Sequence, residues 1–346
     1  ASTQGRNDGG GALVDLNTSG ILHGGRGDDS KINYDGMNTN GFWSGGGGQM
    51  RIWKFNTIGV QETVVDTGGA DAETETGGAN INMVPRDGGN TFSVRSILAY
   101  ANQDMASGKV PDYLVARGSA AESKSLKKVY DYGVGLGGPI VKDRLWFFNA
   151  NRMWGGQGYG ANNFFNKSTV PYRYEADRSK PAFTDSWLKD IGGRFTLQAS
   201  QKHKLTTSIN WQRACSCDLG ISLGARESPE GSTDYQYGLG IPGGGMWNSQ
   251  TTWSYPSTNR LLLQAGASFL VQTVSYTDAF DPTPRITEQT TGYSWGGQGG
   301  GTDRDWVRPQ GSNNFSQRFT VSYITGSHAL KTGFQSQQGA FESWGN

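Results

Sequence analysis

The sequence predicts a mainly β protein, in which a Gly-rich first unit is followed by the antiparallel strands of a transmembrane β-barrel wall. Three observations carry this reading. From Phe92 onward, apolar and polar residues alternate with a period of two, the side-chain period of a strand. The links between candidate strands alternate between long and short, as they do where one barrel rim carries tight periplasmic turns and the other long extracellular loops. Composition agrees: Gly is 53 of 346 residues and hydrophobic residues only 34%, poor material for a dense soluble core. Strands that give alternate residues to a polar lumen need no such core.

Taken in order, the chain divides at about residue 90. In the first unit, Ile32-Asn33-Tyr34-Asp35-Gly36-Met37 reads as a strand entering a turn, and Val60 to Asp66 as a second strand. Between them, Gly41-Phe42-Trp43-Ser44 opens a Gly-rich loop with an aromatic pair at its head. The stretch from Thr67 to Phe92 is a hinge: Gly-rich, then a short apolar strand from Ile81 to Val84, then the turn Gly88-Gly89-Asn90.

Beyond the hinge the expected strands are 91–101, 130–140, 145–154, 190–200, 204–213, 246–255, 259–277, 313–324 and 328–338. Within 190–200, Ile191, Gly193, Phe195 and Leu197 share one face, and Gly192, Arg194, Thr196 and Gln198 the other. Leu261, Leu263, Ala265, Ala267, Phe269 and Val271 form one face of the longest strand. The long links are 102–129, 155–189, 214–245 and 278–312. The short ones are Val141–Arg144, Gln201–His203, Pro256–Thr258 and Thr325–Ser327. A soluble sandwich gives the same alternation, but has no reason to sort its connections by length. Aromatics such as Tyr100, Trp211, Trp253, Tyr255 and Tyr323 fall near strand ends, as an interfacial girdle would place them. Ordinary strand propensity also favours Tyr and Trp.

Several chemistries find no support. Formal net charge is +1, so nothing points to nucleic acid. No apolar run approaches the roughly 18 residues of a membrane helix. Cys215-Ser216-Cys217 lacks a second ligand pair, so no metal is expected, and whether the two thiols are bonded stays open. Two G-x-S-x-G strings, around Ser222 and Ser294, lie in long links with no helical pattern behind them. His203 and His328 fall in the short turns, at the opposite rim, so no catalytic residue is expected. Gly45–Gly48 lacks the Lys and Ser/Thr of a phosphate loop, and no cofactor is expected. Asp28, Asp29 and Asp35 have no recognised Ca²⁺ spacing and read as a solvated acidic turn.

Three segments together resemble TonB-dependent outer-membrane receptors, in particular the Oar-like branch. Gly68-Gly69-Ala70-Asp71-Ala72-Glu73, Gly77-Gly78-Ala79-Asn80-Ile81-Asn82 and Gly88-Gly89-Asn90-Thr91-Phe92 resemble the end of that family's plug domain. Gly137-Gly138-Pro139-Ile140 through Trp146-Phe147-Phe148 resembles its first periplasmic turn, and His23-Gly24-Gly25-Arg26 with Tyr34-Asp35-Gly36-Met37 an earlier plug segment. The sequence departs from the family at His23 and at Thr74-Glu75-Thr76.

The resemblance implies a plug over residues 1–90 and the first part of a barrel over 91–346. It implies an outer-membrane transporter of a Gram-negative bacterium, with loops facing outside and no enzymatic activity. An inner-membrane TonB-type energy coupler would be its partner, and barrel lipid its surroundings. Nine strands cannot surround a plug of this size, and no TonB box or signal peptide precedes Ala1, so a longer protein is expected. The family's charged plug residues pair with the wall; here Arg26 and Glu73 are the plug candidates, and Arg95, Arg194 and Arg318 the wall candidates. These arginines otherwise face lumen water. Aromatics among amides suit an oligosaccharide or peptide ligand, with Phe42 and Trp43 on the plug and Trp295 and Trp306 in the loops as candidate contacts. Packing against the wall or between loops is the plain alternative for all four. The rival function is a structural or adhesive surface protein that self-assembles at an open sheet edge without transport.

Overall fold

The computed structural model describes residues 31–40, 53–66, 80–106, 112–116, 126–217, 221, 228–229, 233–238, 245–278, 284, 286–296 and 310–342. Phe42, Trp43, Trp306, Arg26 and Glu73 lie outside the described residues.

A small mixed sheet comes first, from β1 (Lys31–Tyr34), β2 (Met37–Asn38), β3 (Val60–Asp66) and β4 (Asn80–Pro85), in the order β2-β1-β4-β3. β1 pairs antiparallel with β2 and parallel with β4; β3 runs antiparallel to β4. The β1–β2 hairpin turns through Asp35 and Gly36, both with positive φ (51° and 72°). An Asp-Gly pair suits that two-residue turn, because Gly has no Cβ to clash and Asp tolerates the left-handed region. Gly36 N–H is held by the Asn82 side chain (2.9 Å) and Asp35 N–H by the Met83 carbonyl (2.9 Å), so the turn is fastened to β4. A 3-10 turn, Thr57–Gly59, is capped by Asn56, whose side chain accepts from Ile58 N–H.

The second sheet is an antiparallel wall. Its strands are β5 (Ser93–Asn102), β6 (Leu126–Val141), β7 (Leu145–Asn166), β8 (Ala176–Gln198), β9 (Lys204–Cys217), β10 (Thr233–Tyr237), β11 (Met246–Pro256), β12 (Leu261–Asp278), β15 (Gln310–Thr325) and β16 (His328–Glu342). A one-turn helix α1 (Asp112–Val115) lies between β5 and β6, and a short ribbon of β13 (Ile286–Thr287) with β14 (Ser294–Trp295) lies between β12 and β15. All nine expected strands form. β10 and β11 occupy one row between β9 and β12, interrupted after Tyr237 and resumed at Met246.

The expected long links are the main difference. Residues 155–189 were expected as one loop, yet β7 continues to Asn166 and β8 begins at Ala176, leaving only 167–175 between them. The pairing persists there without a period-two signal, because the sequence turns Gly- and Asn-rich and no apolar face has to be presented. The short turns form as expected, at 142–144, 199–203, 257–260 and 326–327.

The wall is inverted relative to a soluble sheet. One face is buried and largely polar: Gln212 and Gln272 are 0% exposed, Ser208, Asn248, Asn314 and Ser316 are buried with them, and Phe148, Leu188, Met246 and Leu270 form an apolar patch among them. The other face is apolar and exposed, with Ile191, Phe195, Ile209, Phe269 and Phe334 open. On β12 the apolar face runs from Leu261 to Val271. Ten steps of about 3.4 Å at a tilt of about 40° give a band about 26 Å tall, the height of a barrel's lipid-facing belt.

Candidate functional site: the seat of the small sheet on the wall

The buried polar face of the wall holds the small sheet, and the contacts converge on one turn. Arg194 stands on the buried face of β8. Its Nε donates to Asp87 Oδ1 (2.6 Å), one terminal nitrogen to Asp35 Oδ2 (3.0 Å) and the other to Ser208 Oγ (3.0 Å). Asp87 also accepts from Thr196 Oγ1 (2.9 Å) and Lys204 Nζ (2.8 Å). Two carboxylates of the first unit thus close on one guanidinium whose side chain is 10% exposed. The planar fork of Arg suits this, because it serves three acceptors in fixed directions. Burial pushes the Asp87 carboxyl up, but Arg194 and Lys204 outweigh it and hold the group below the usual carboxylate range. Burial also raises the Tyr34 phenol next to the turn.

Arg318 grips the same turn from β15, donating to the carbonyls of Gly36 (3.0 Å) and Asp35 (3.2 Å). A Cβ on Gly36 would fall 2.1 Å from the Arg318 guanidinium, so both the fold of the turn and the close approach require glycine. Arg95, the third wall arginine singled out from sequence, is exposed on β5 and lies near Arg86.

Further contacts spread along the seam. Asn56 donates to Asp190 Oδ1 (2.8 Å), and Gln212 donates to Asp190 Oδ2 (2.8 Å) while accepting from Lys54 N–H (3.1 Å). The Asn40 carbonyl accepts from Asn314 (2.8 Å) and Gln337 (3.2 Å), and Asn38 donates to Gln337 (3.0 Å). Arg152 bridges Asp131 on the wall and Thr57 on the 3-10 turn. Shape reinforces polarity, since Ile58 enters a hollow over Gly133 and Gly135, where added Cβ atoms would meet it at 2.2 and 2.7 Å.

At the short-turn rim, two sequence motifs meet. Asn90 accepts from Asp143 N–H (2.9 Å) and from Trp146 Nε1 (2.7 Å). Its amide also donates to the Asp143 carboxylate. A Cβ on Gly88 would sit 2.2 Å from the Phe147 carbonyl, which explains the glycine before Asn90. Also at this rim, His203 stacks on Tyr255 (4.3 Å), and its Nδ1 accepts from Trp253 Nε1.

At the opposite end, Trp295 joins Tyr174 (5.9 Å), which packs on Tyr293 (4.7 Å). Its Nε1 donates to the Tyr172 carbonyl (3.2 Å), and Tyr293 donates to Asn163 (2.9 Å). Ser294 is buried and shares a hydrogen bond with Thr287 Oγ1 (2.8 Å). Ser222 lies outside the described residues. Cys215 and Cys217 are bonded to each other, so they offer no thiolates to the nearby Asp234 carboxylate.

Sequence reasoning missed Asp35 and Asp87 as partners of Arg194. A signal was present: Arg194 interrupts neither face of β8 but occupies the polar one, where a confined charge calls for a counter-charge.

No protein-family model matches the sequence, and no curated protein does. Solved structures do. A variant of the ferric enterobactin receptor PfeA from Pseudomonas aeruginosa is 13% identical with a TM-score of 0.60, over 91% of this chain and 42% of that one. The siderophore receptor PirA from Acinetobacter baumannii is 14% identical with a TM-score of 0.51, over 89% and 40%. The outer membrane transporter YddB from Escherichia coli is 10% identical with a TM-score of 0.51, over 91% and 41%. The chain therefore spans about two-fifths of the length of the structures it resembles. It has the fold of TonB-dependent outer-membrane receptors, a plug seated against antiparallel barrel strands.

Proposed function

We propose that this chain is the plug end and the first wall strands of an outer-membrane transporter of a Gram-negative bacterium. Residues 1–90 form the plug part and 91–346 the wall. The observation that carries the reading is the inverted wall, with an apolar belt of about 26 Å outside and the Asp35–Arg194–Asp87 clasp inside. A purely adhesive wall has no use for a clasped plug; a gated pore needs one. The clasp contacts are hydrogen bonds and ion pairs that water can replace when the plug is pulled, while Trp53 and Ile58 add apolar contacts to the seat.

On this reading, a TonB-type coupler in the inner membrane supplies the pull, and the ligand arrives at the extracellular end. The aromatic group of Tyr174, Tyr293 and Trp295 with Asn163, together with Phe42, Trp43 and Trp306, offers rings and amides to an oligosaccharide or a peptide. Arg26 and Glu73 add to the plug's charged contacts, with Arg95 as a wall partner. The solved neighbours include a ferric enterobactin receptor and a siderophore receptor, so ferric siderophores belong in the same ligand screen.

The test is uptake by cells carrying Asp35→Cys with Thr252→Cys, residues whose side chains approach to 3.5 Å. Joining them with a short bifunctional thiol reagent should stop uptake of the bound ligand, and dissipating the proton gradient should do the same in the unlocked protein. Uptake indifferent to both treatments would exclude plug-gated, energised transport.

A further inference from the structure

Along the seam, Asp35 and Asp87 close on Arg194 and Asp131 closes on Arg152, but Asp190 forms no ion pair among the described residues. Asp190 is 3% exposed on the inward face of β8, and its two oxygens accept from the amides of Asn56 (2.8 Å) and Gln212 (2.8 Å). Arg152 stands opposite it on β7, yet that guanidinium is committed to Asp131 (2.8 and 2.7 Å) and Thr57 (2.8 Å). A buried carboxylate held by neutral amides alone is costly until a positive charge joins it.

Asp190 lines a cavity of about 20 Å³, with Tyr34, Trp53 and Phe55 of the plug unit on one side and Asn210 and Asn248 of the wall on the other. That volume holds one water-sized particle. Asn248 is 2% exposed, and its Oδ1 is buried without a hydrogen-bond partner among the described residues. Asn248, Asn210 and Gly192 form one row across β11, β9 and β8, two residues along β8 from Asp190. A Cβ on Gly192 would sit 2.2 Å from Asn210 Oδ1, so the glycine makes room for that oxygen. Tyr34 and Phe55 stack at 5.6 Å, and aromatic walls favour a cation over an anion.

We propose that this cavity binds a dehydrated monovalent cation, sodium, which neutralises Asp190 and gives the Asn248 oxygen its partner. Carboxylate and carbonyl oxygens suit a hard cation, and one carboxylate balances one positive charge. Magnesium keeps several waters, for which the cavity has no room, and calcium would leave a buried net charge. A lone water would satisfy Asn248 but leave Asp190 unbalanced. The lining comes from both units, so the ion stabilises the docked plug alone and is released when the plug is pulled. The inference rests on the plug-and-wall reading above.

The experiment is hydrogen exchange on β1 and β4 of the full-length protein in vesicles, in sodium chloride or choline chloride at equal ionic strength and pH. Choline is too large for the cavity. Sodium should slow exchange by about tenfold, the factor for an ion at roughly ten times its dissociation constant. Asp190→Asn should abolish the sodium effect. Asn248→Leu should abolish it too while the plug stays docked, because an apolar group of similar shape replaces an oxygen that has no protein partner. Equal exchange of the native protein in the two salts overturns the ion site in favour of a water alone. A sodium effect kept by both variants also overturns it, since the ion then acts elsewhere. Exchange on β1 and β4 indifferent to Arg194→Ala overturns the docked plug itself, and the ion site with it.

Discussion

The two faces of β8 obey different rules. Outward, Ile191, Phe195 and Leu197 need only be apolar, because the medium they meet is uniform. Inward, Asp190, Arg194 and Thr196 meet particular atoms: Asn56 and Gln212, Asp35 and Asp87, Asp87 again. Arg194 and Asp35 are 159 positions apart. The outer face can therefore drift among Leu, Ile, Phe and Val, whereas the inner face is bound residue by residue to the plug.

Substitutions on the two faces should separate these rules. Arg194→Ala should cost the most, about 3 kcal/mol of plug docking, because two carboxylates lose their shared counter-charge. Hydrogen exchange on β1 and β4 reads this directly, and adding Asp35→Asn with Asp87→Asn should restore much of the loss. Phe195→Arg, one residue away on the other face, should cost about 2–3 kcal/mol in urea titrations in vesicles, yet leave plug exchange unchanged. Ile58→Val should loosen the plug by about 1 kcal/mol through the gap left over Gly133 and Gly135.

Acid should weaken the Asp87 contact. The Asp87 carboxyl titrates lower when docked than when free, so its contribution is complete above the ordinary Asp value of about 3.9. It is lost only as pH falls through the depressed docked value. The difference in plug exchange between the native protein and Asp87→Asn should therefore stay constant down to about pH 4 and close in stronger acid. The smallest effect belongs to neither face: Lys167 and Glu175 pair at 2.9 Å in the exposed 167–175 turn, and Glu175→Gln should change neither docking nor stability measurably.

The same division governs what was legible from sequence. The nine wall strands, the short turns and the polarity of the two faces follow from alternation and link length, since a strand whose two faces differ in polarity repeats every two residues. The outer parts of β7 and β8 were not legible, because past the belt neither face has to be apolar and the period vanishes into Gly156, Gly158 and Gly160. Arg194 and Arg318 stood out as charges on a polar face. Their partners did not: the Asp35–Gly36 turn reads as a hairpin turn, and nothing local to Asp87 marks it as the acid that closes the clasp. Asn90 is similar, since its reach to Asp143 and Trp146 depends on how the hinge meets the first short turn.

The most direct test is a spin-label accessibility scan of residues 190–198 in lipid vesicles, one cysteine at a time. Lipid-soluble oxygen should reach labels at 191, 193, 195 and 197 and be excluded from 192, 194 and 196, and a label at 194 or 196 should gain mobility when the plug is extracted with urea. Equal oxygen access at odd and even positions, or even positions indifferent to removal of the plug, would contradict an inverted wall with the plug seated on its inner face.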